Sequence, residues 1–148
     1  MKLQNLLLLS IFLCFTAVLH AQEMNEEKVS QAVQTSFDQA FAGAQDVQWV
    51  PMNNQYKVSF KTSDNLKAKG VFSATGKLVS YEKEIYSNNL PLAAVSYLRT
   101  EMPKYGITEA TEFYSNGTVH YRMRVRGGEN NEVKTLKFTE EGELIPSK

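Results

Sequence analysis

Apolar residues recur along this chain with two periods, and the first is the period of an α-helix. Side chains three or four residues apart share one side of a helix, so such a stripe predicts a helix with one buried face. The first stripe consists of Val29, Val33, Phe37 and Phe41, and the second of Val95, Leu98 and Met102. Pro91 suits the first turn of the second helix, because proline has no amide hydrogen to leave unbonded there.

The second period is two, which is typical of strands with one buried face. Predicted strands cover residues 47–49, 56–61, 68–72, 78–85, 112–114, 119–125, 133–139 and 143–145. Asn116-Gly117 is the clearest turn signal between them, because a two-residue hairpin turn needs positive φ at both positions. The pattern therefore predicts helices that alternate with antiparallel hairpins.

The second half of the chain repeats the first. Tyr56-Lys57-Val58-Ser59-Phe60 recurs 65 residues later as Tyr121-Arg122-Met123-Arg124-Val125, and Trp49 maps onto Tyr114 at the same spacing. Phe72, Gly76 and Leu78 recur at a spacing of 66 as Phe138, Gly142 and Leu144. The predicted fold class is therefore α+β: a tandem duplication of one helix plus a three- to four-stranded antiparallel meander, with the helices packed on one face of the sheet. Residues 22–86 and 87–148 form the two predicted repeats, which share one folded unit.

Residues 1–21 have the features of an export signal. Lys2 supplies the positive start, residues 6–19 are apolar apart from Ser10 and Thr16, and cleavage is predicted near Ala21-Gln22. The apolar run is shorter than the roughly 20 residues of a membrane-spanning helix, so no stable membrane insertion is predicted. The only cysteine, Cys14, lies in this segment, so the mature chain has no thiol for a disulfide, a metal or catalysis. We expect an exported protein, periplasmic or secreted.

Few residues of the mature chain could support catalysis. His120 is its only histidine, which excludes a multi-histidine metal site and leaves a Ser-His-Asp triad as a remote alternative. Glu82 and Glu84 share one side of a strand, as a catalytic carboxylate pair would, but acids on a strand more often face solvent. No cofactor is expected, and the protein is predicted not to be an enzyme.

A candidate binding face follows from the alternation of the strands. If Tyr56, Val58 and Phe60 face the helices, their neighbours in the strand face away from them. The residues predicted on this outward face are Lys57, Lys61, Val71, Val79, Tyr81, Phe113, Arg122, Arg124 and Arg126. Aromatic side chains among arginines are typical of a surface that binds proteins. The alternative is a solvated face with scattered apolar residues.

Two further expectations concern this face. The chain has 16 basic and 16 acidic residues, and nearby acids offset the basic stripe, so nucleic acid is not the expected partner. A β-bulge would exchange inward and outward residues, and Gly70 is where one is most expected.

The order of motifs resembles that of secreted PepSY-like proteins, which are related in fold to β-lactamase-inhibitor protein. The resemblance covers Val29 to Ile145 and is carried by Val-Gln-Trp at 47–49, Tyr-x-Val-x-Phe at 56–60, Val-Phe-Ser-Ala-Thr-Gly-Lys-Leu at 71–78 and Leu-Pro at 90–91. It implies helices on one side of a sheet, a saddle-shaped face on the other, and a place in the Gram-negative cell envelope. In the inhibitor that face grips a β-lactamase, but no residue of this chain carries over that specificity.

These observations predict a non-enzymatic, exported binding module. Its expected partner is a protein or peptide of the cell envelope, in an inhibitory or chaperone-like role. The alternative is a protein that binds a small ligand or an envelope polymer in a pocket between helix and sheet.

Overall fold

The computed structural model describes residues 29–146 and consists mainly of strands. Helix α1 spans Gln31–Ala40 and α2 spans Leu92–Glu101, with a short 3-10 turn at Ser87–Asn89 before α2. The strands are β1 (Gln45–Met52), β2 (Gln55–Lys61), β3 (Lys67–Ser73), β4 (Leu78–Ile85), β5 (Tyr105–Ser115), β6 (Thr118–Gly127), β7 (Glu132–Thr139) and β8 (Leu144–Ile145).

All eight strands form one antiparallel sheet in chain order. The longest pair, β5 and β6, is joined by Asn116-Gly117, whose φ angles are 52° and 84°. Both angles are positive, which confirms the hairpin turn predicted from the sequence. Because β4 pairs with β5, the sheet is continuous between the first four strands and the last four.

The predicted α+β class is wrong, because strands account for 52% of the described residues and helices for 19%. The fold is mainly β rather than a balanced repeat of helix and meander. The physical reason lies in the number of strands and in their length: the two helices have ten residues each, whereas there are eight strands, two of which, β5 and β6, are as long as the helices or longer. The apolar stripes predicted the helices, but they did not show that the strands would extend so far on either side.

Helix α1 packs on the first strands through aromatic rings. The side-chain oxygen of Ser30 accepts a hydrogen bond from the Val33 amide, which caps the start of the helix. Val33 and Phe37 are buried on the helix, and Val58 and Phe72 are buried on β2 and β3 beneath it. The Phe37 ring lies edge-on to three others, Trp49, Phe60 and Phe72, at centroid distances of 5.2, 5.0 and 6.1 Å.

Helix α2 packs on the later strands through mainly aliphatic side chains. Its buried residues are Ala94 and Leu98, which lie against Met123, Val125 and Phe138 of the sheet. Pro91 was predicted in the first turn of this helix. It lies one position earlier, at the N-cap, because α2 begins at Leu92.

Both helices lie on the same side of the sheet. Directly paired residues on adjacent strands share a face. Pairing from β2 across to β6 shows that the residues beneath α1 and those beneath α2 are on the same face, which is therefore the side of both helices. We call this side the helix-covered face and the other the open face. Within the described residues, no helix or strand lies over the open face.

The predicted export signal and its cleavage site lie outside the described residues. Within residues 29–146, neither helix has the length and apolar character needed to cross a membrane.

Candidate functional site

The open face contains most of the residues predicted for binding. Pairing between strands sets this placement: Lys57 is opposite Val71, Thr111 is opposite Arg122, and Arg122 is opposite Lys137. Seven of the nine predicted residues lie on this face: Lys57, Lys61, Val71, Phe113, Arg122, Arg124 and Arg126. Their binding role itself stays a prediction.

Tyr81 was predicted on the open face, and this placement is wrong. It pairs with Gly70 and Tyr114 on the helix-covered face, and its ring lies edge-on to Phe41 at a centroid distance of 5.7 Å. It also stacks on Tyr114 at 5.5 Å.

A β-bulge between β3 and β4 causes the exchange. Phe72 pairs with Leu78 while Val71 pairs with Ser80, which leaves Val79 without a place in the register. One extra residue shifts the alternation of everything that follows it in the strand. Val79 was predicted on the open face, and as the extra residue of the bulge it has no pairing that assigns it to either face.

Gly70 was the expected position of the bulge, and this too is wrong. Gly70 pairs regularly with Val58 and Tyr81. A Cβ atom added to it would lie 3.2 Å from Val58 Cγ1 and 3.8 Å from the Phe41 ring. The absence of a side chain at Gly70 therefore leaves room for the aromatic core, and the backbone at this position is regular.

Arg122 is at the centre of a polar cluster on the open face. Its Nη2 donates a hydrogen bond to Glu82 Oε1 at 3.0 Å and lies 3.7 Å from Glu109 Oε1. The guanidinium also lies over the Phe113 ring, 4.7 Å from its centroid. Thr111, on the strand between these partners, is only 1% exposed. These contacts restrict the position of the Arg122 guanidinium.

Two shallow pockets meet at Phe113 on this face. We call the first the Val71 pocket; it has a volume of about 380 Å³ and is lined by Lys57, Lys69, Val71, Ser80, Glu82 and Phe113, among others. The second is the His120 pocket, of about 300 Å³, lined by Phe113, Ser115, His120, Arg122, Lys137 and Ile145, with Tyr121. Both volumes reach the range of roughly 300–1,000 Å³ that is usual for binding sites.

The open face has an excess of positive charge. Among the described residues, its basic side chains are Lys57, Lys61, Lys67, Lys69, Arg122, Arg124, Arg126 and Lys137. Its acidic side chains are Glu82, Glu84 and Glu109, and Asp46 at the sheet edge bridges to Lys61 at 2.8 Å. The chain as a whole is neutral, so the excess belongs to this surface.

No protein-family model matches the chain, and neither does any curated protein. Solved structures do match. A BLIP-like protein from Bacteroides fragilis has a TM-score of 0.60 at 21% identity, over 80% of this chain and 84% of that protein. A protein from Bacteroides eggerthii whose name proposes a periplasmic location has a TM-score of 0.59 at 16% identity, over 80% and 86%.

The chain has a BLIP-like fold. A DUF2874 family protein from Bacteroides uniformis agrees with this assignment, with a TM-score of 0.59 at 17% identity over 79% of this chain and 86% of that protein. At these identities the likeness is one of fold.

On the helix-covered face of this BLIP-like fold, a polar seam separates the two cores. The Tyr81 hydroxyl donates a hydrogen bond to Glu112 Oε1, and Lys83 Nζ lies 3.1 Å from the same oxygen. Burial and the negative charge of Glu112 raise the pKa of Tyr81 well above its usual value, and the same two causes raise that of Tyr121. The seam therefore favours the neutral form of both tyrosines.

The two glutamates considered as a catalytic pair are both engaged in contacts of the sheet. Glu82 pairs with Arg122, and Glu84 Oε2 accepts a hydrogen bond from the Lys67 amide at 3.2 Å. Within residues 29–146, no group of three or more His, Cys, Asp or Glu side chains could hold a metal ion.

His120, Lys137, Glu82 and Glu109 belong to the site although the sequence reasoning did not select them for it. The phase of β7 could have identified Lys137, because Phe138 was predicted to face the core and its neighbour must then face away. No comparable signal existed for Glu82, since its contact with Arg122 depends on the pairings of β4 with β5 and of β5 with β6.

Proposed function

We propose that this chain is an exported, non-enzymatic binding module that recognises a protein or peptide of the cell envelope through its open face. The single observation that carries the proposal is the pair of pockets that meet at Phe113 on an uncovered, positively charged sheet. An aromatic side chain stacked with arginine is the composition of an interface anchor.

The compartment is proposed from two separate sources. The first 21 residues have the pattern of an export signal. The name of the structural neighbour from Bacteroides eggerthii proposes a periplasmic location for that protein. The resemblance to secreted PepSY-like proteins stays a prediction and agrees with this compartment.

A non-enzymatic role is proposed because the two glutamates that could form a catalytic pair make structural contacts instead. Glu82 is ion-paired with Arg122, and Glu84 accepts a hydrogen bond from the Lys67 amide at the start of β3. A catalytic carboxylate pair needs at least one group free to exchange a proton with substrate. The contacts of these two residues support a role in shaping the open face.

The alternative site, between helix and sheet, is smaller. A pocket between the end of α1 and β4 has a volume of about 240 Å³ and includes Phe41, Phe60 and Lys83 in its lining. This lies below the usual range for ligand sites, whereas both pockets of the open face reach it. The geometry therefore favours the open face, and small-ligand binding stays a prediction.

Site-specific photo-crosslinking tests the proposal. A photoreactive phenylalanine analogue replaces Ser115 on the open face or Ser96 on α2, two exposed serines on opposite sides of the sheet. The labelled chains are irradiated with envelope extract of the organism that encodes the protein. We expect a crosslinked product of defined mass from position 115 and none from position 96.

Charge reversal provides a matched control. Arg126→Glu on the open face should remove the crosslink, whereas Arg99→Glu on α2, an equal charge change at another exposed arginine, should leave it in place. Equal crosslinking from both faces, or none from position 115, would contradict the proposal.

A further inference from the structure

The His120 pocket combines apolar walls with nitrogen groups from two strands. Phe113 on β5 is opposite His120 on β6. Lys137 on β7 is opposite Arg122 on β6 and opposite Ile145 on β8. Pairing thus brings one histidine, one arginine and one lysine to the same small volume. A few convergent polar groups in an apolar pocket are the usual composition of a selective binding site.

The two cations of this pocket are placed unfavourably for the protein alone. Arg122 and Lys137 are directly opposite each other, and like charges in that arrangement repel. Glu82 and Glu109 both contact Arg122 at its Nη2 atom. Lys137 is exposed and has no ion-pair partner among the described residues, so an anion in the pocket would relieve the repulsion.

Two nitrogen atoms of the pocket residues also lack partners. Arg122 Nε and His120 Nδ1 are buried and have no hydrogen-bond partner within residues 29–146. Buried polar atoms are normally paired, because leaving one unpaired is costly. An arginine has five N–H donors, and the contacts with the two glutamates leave several of them available.

The two ends of the pocket are apolar. Phe113 and Ile145 lie on either side of the basic residues, and Phe113 is already held in place by the Arg122 guanidinium. A free inorganic anion would leave these walls in water, whereas a peptide can place a carboxylate on the cations and a neighbouring apolar side chain on the walls.

We infer that the His120 pocket binds an aspartate or glutamate side chain of a partner's peptide segment, with an adjacent apolar side chain on Phe113 and Ile145. The inference rests on the proposed function and specifies the chemistry of its partner: an acidic segment with an apolar anchor. The net positive charge of the open face favours the approach of such a segment.

A random peptide library displayed on phage tests this directly. The peptides are fused through their carboxyl ends, so they offer side-chain carboxylates and no free carboxyl terminus. Residues 22–148 are immobilised as wild type, Lys137→Glu and the control Arg99→Glu. We expect wild type and Arg99→Glu to enrich peptides with Asp or Glu beside an aromatic or aliphatic residue, and Lys137→Glu to lose them.

Calorimetry on one enriched peptide then measures the effect. Replacing its acidic residue by the matching amide should weaken binding about tenfold to a hundredfold, the range for a lost charge-assisted hydrogen bond. Lys137→Glu should weaken binding of the acidic peptide by at least as much. In this variant the dissociation constants of the acidic peptide and of its amide should differ less than they do in wild type.

The failures are distinguishable. Enriched peptides that have no acidic residue and are still lost on Lys137→Glu would overturn the inference and leave the proposed function standing, because Lys137 lies on the open face. Peptides that depend on Arg99 instead would overturn both. A library that yields no binder would overturn the inference, and the proposed function would then be decided by the crosslinking experiment alone.

Discussion

Val58 and Lys57 are neighbours in β2, yet Val58 is fully buried beneath α1 while Lys57 is exposed on the open face. The same contrast recurs in β6, where Val125 is fully buried and Arg124 is exposed. Within residues 29–146, one face is covered by helices and carries the apolar cores, and the other has no helix or strand over it and carries an excess of positive charge. Stability and the proposed recognition are thus assigned to alternate residues of the same strands, so we expect that a substitution can alter one without the other.

The helix-covered face is itself divided. Aromatic rings fill the core beneath α1, aliphatic side chains fill most of the core beneath α2, and the seam of Tyr81, Lys83 and Glu112 lies between them. Four substitutions test how far each region contributes to stability.

The largest effect is expected from Phe72→Ala. Phe72 is fully buried among the rings of the first core, so its removal leaves a cavity and should reduce the free energy of unfolding by about 3–5 kcal/mol. Val71→Ala, one residue away on the open face, should cost less than about 1 kcal/mol. Urea unfolding followed by circular dichroism measures both. Equal losses would refute the division between the faces.

Gly76→Ala should have the next largest effect. Gly76 has a φ of +87°, and a Cβ atom there would lie 2.7 Å from the Ala32 carbonyl oxygen of α1. Backbone strain and the clash together should cost about 2–4 kcal/mol. Gly117→Ala is the matched control, because its φ is +84° but no atom lies within 4 Å of the added Cβ. The difference between the two variants measures how tightly this turn holds the helix.

Tyr81→Phe should cost about 1 kcal/mol, because it removes one hydrogen bond to Glu112 from the seam. It should also change the pH dependence. The pKa of Tyr81 is raised in the folded chain, so its contribution to stability is complete below the ordinary tyrosine pKa of about 10 and decreases as the pH rises above it. Unfolding measured from pH 8 to 11 should therefore show a smaller alkaline loss in Tyr81→Phe than in wild type. Identical slopes would show that the seam does not hold this tyrosine neutral.

The smallest effect is expected from Arg126→Glu on the open face. Arg126 is exposed, so the free energy of unfolding should change by no more than about 0.5 kcal/mol. The variant should keep its melting temperature while it loses the crosslink from position 115. A large loss of stability would mean that the open face also supports the fold.

The strands and turns were accessible from the sequence because their signals are local. Alternation fixes which residues of β2 share a face, and Asn116-Gly117 fixes a hairpin through backbone sterics. The bulge at Val79 had no such signal, since no glycine or proline lies beside it, and it moved Tyr81 to the other face. The Arg122 cluster was equally inaccessible, because Glu82 lies 40 residues away and reaches it only once three strands have paired.

The order of the strands in space is the order of the strands in the chain. Short turns join successive strands everywhere except between β4 and β5, where the connection contains α2, and each helix packs on strands of its own half of the chain. The entropy lost in closing loops is therefore small within each set of four strands, which is the property shared by topologies that fold quickly. The pairing of β4 with β5 is the one step that has to close a longer connection, so α2 and the sheet are expected to form together at that point.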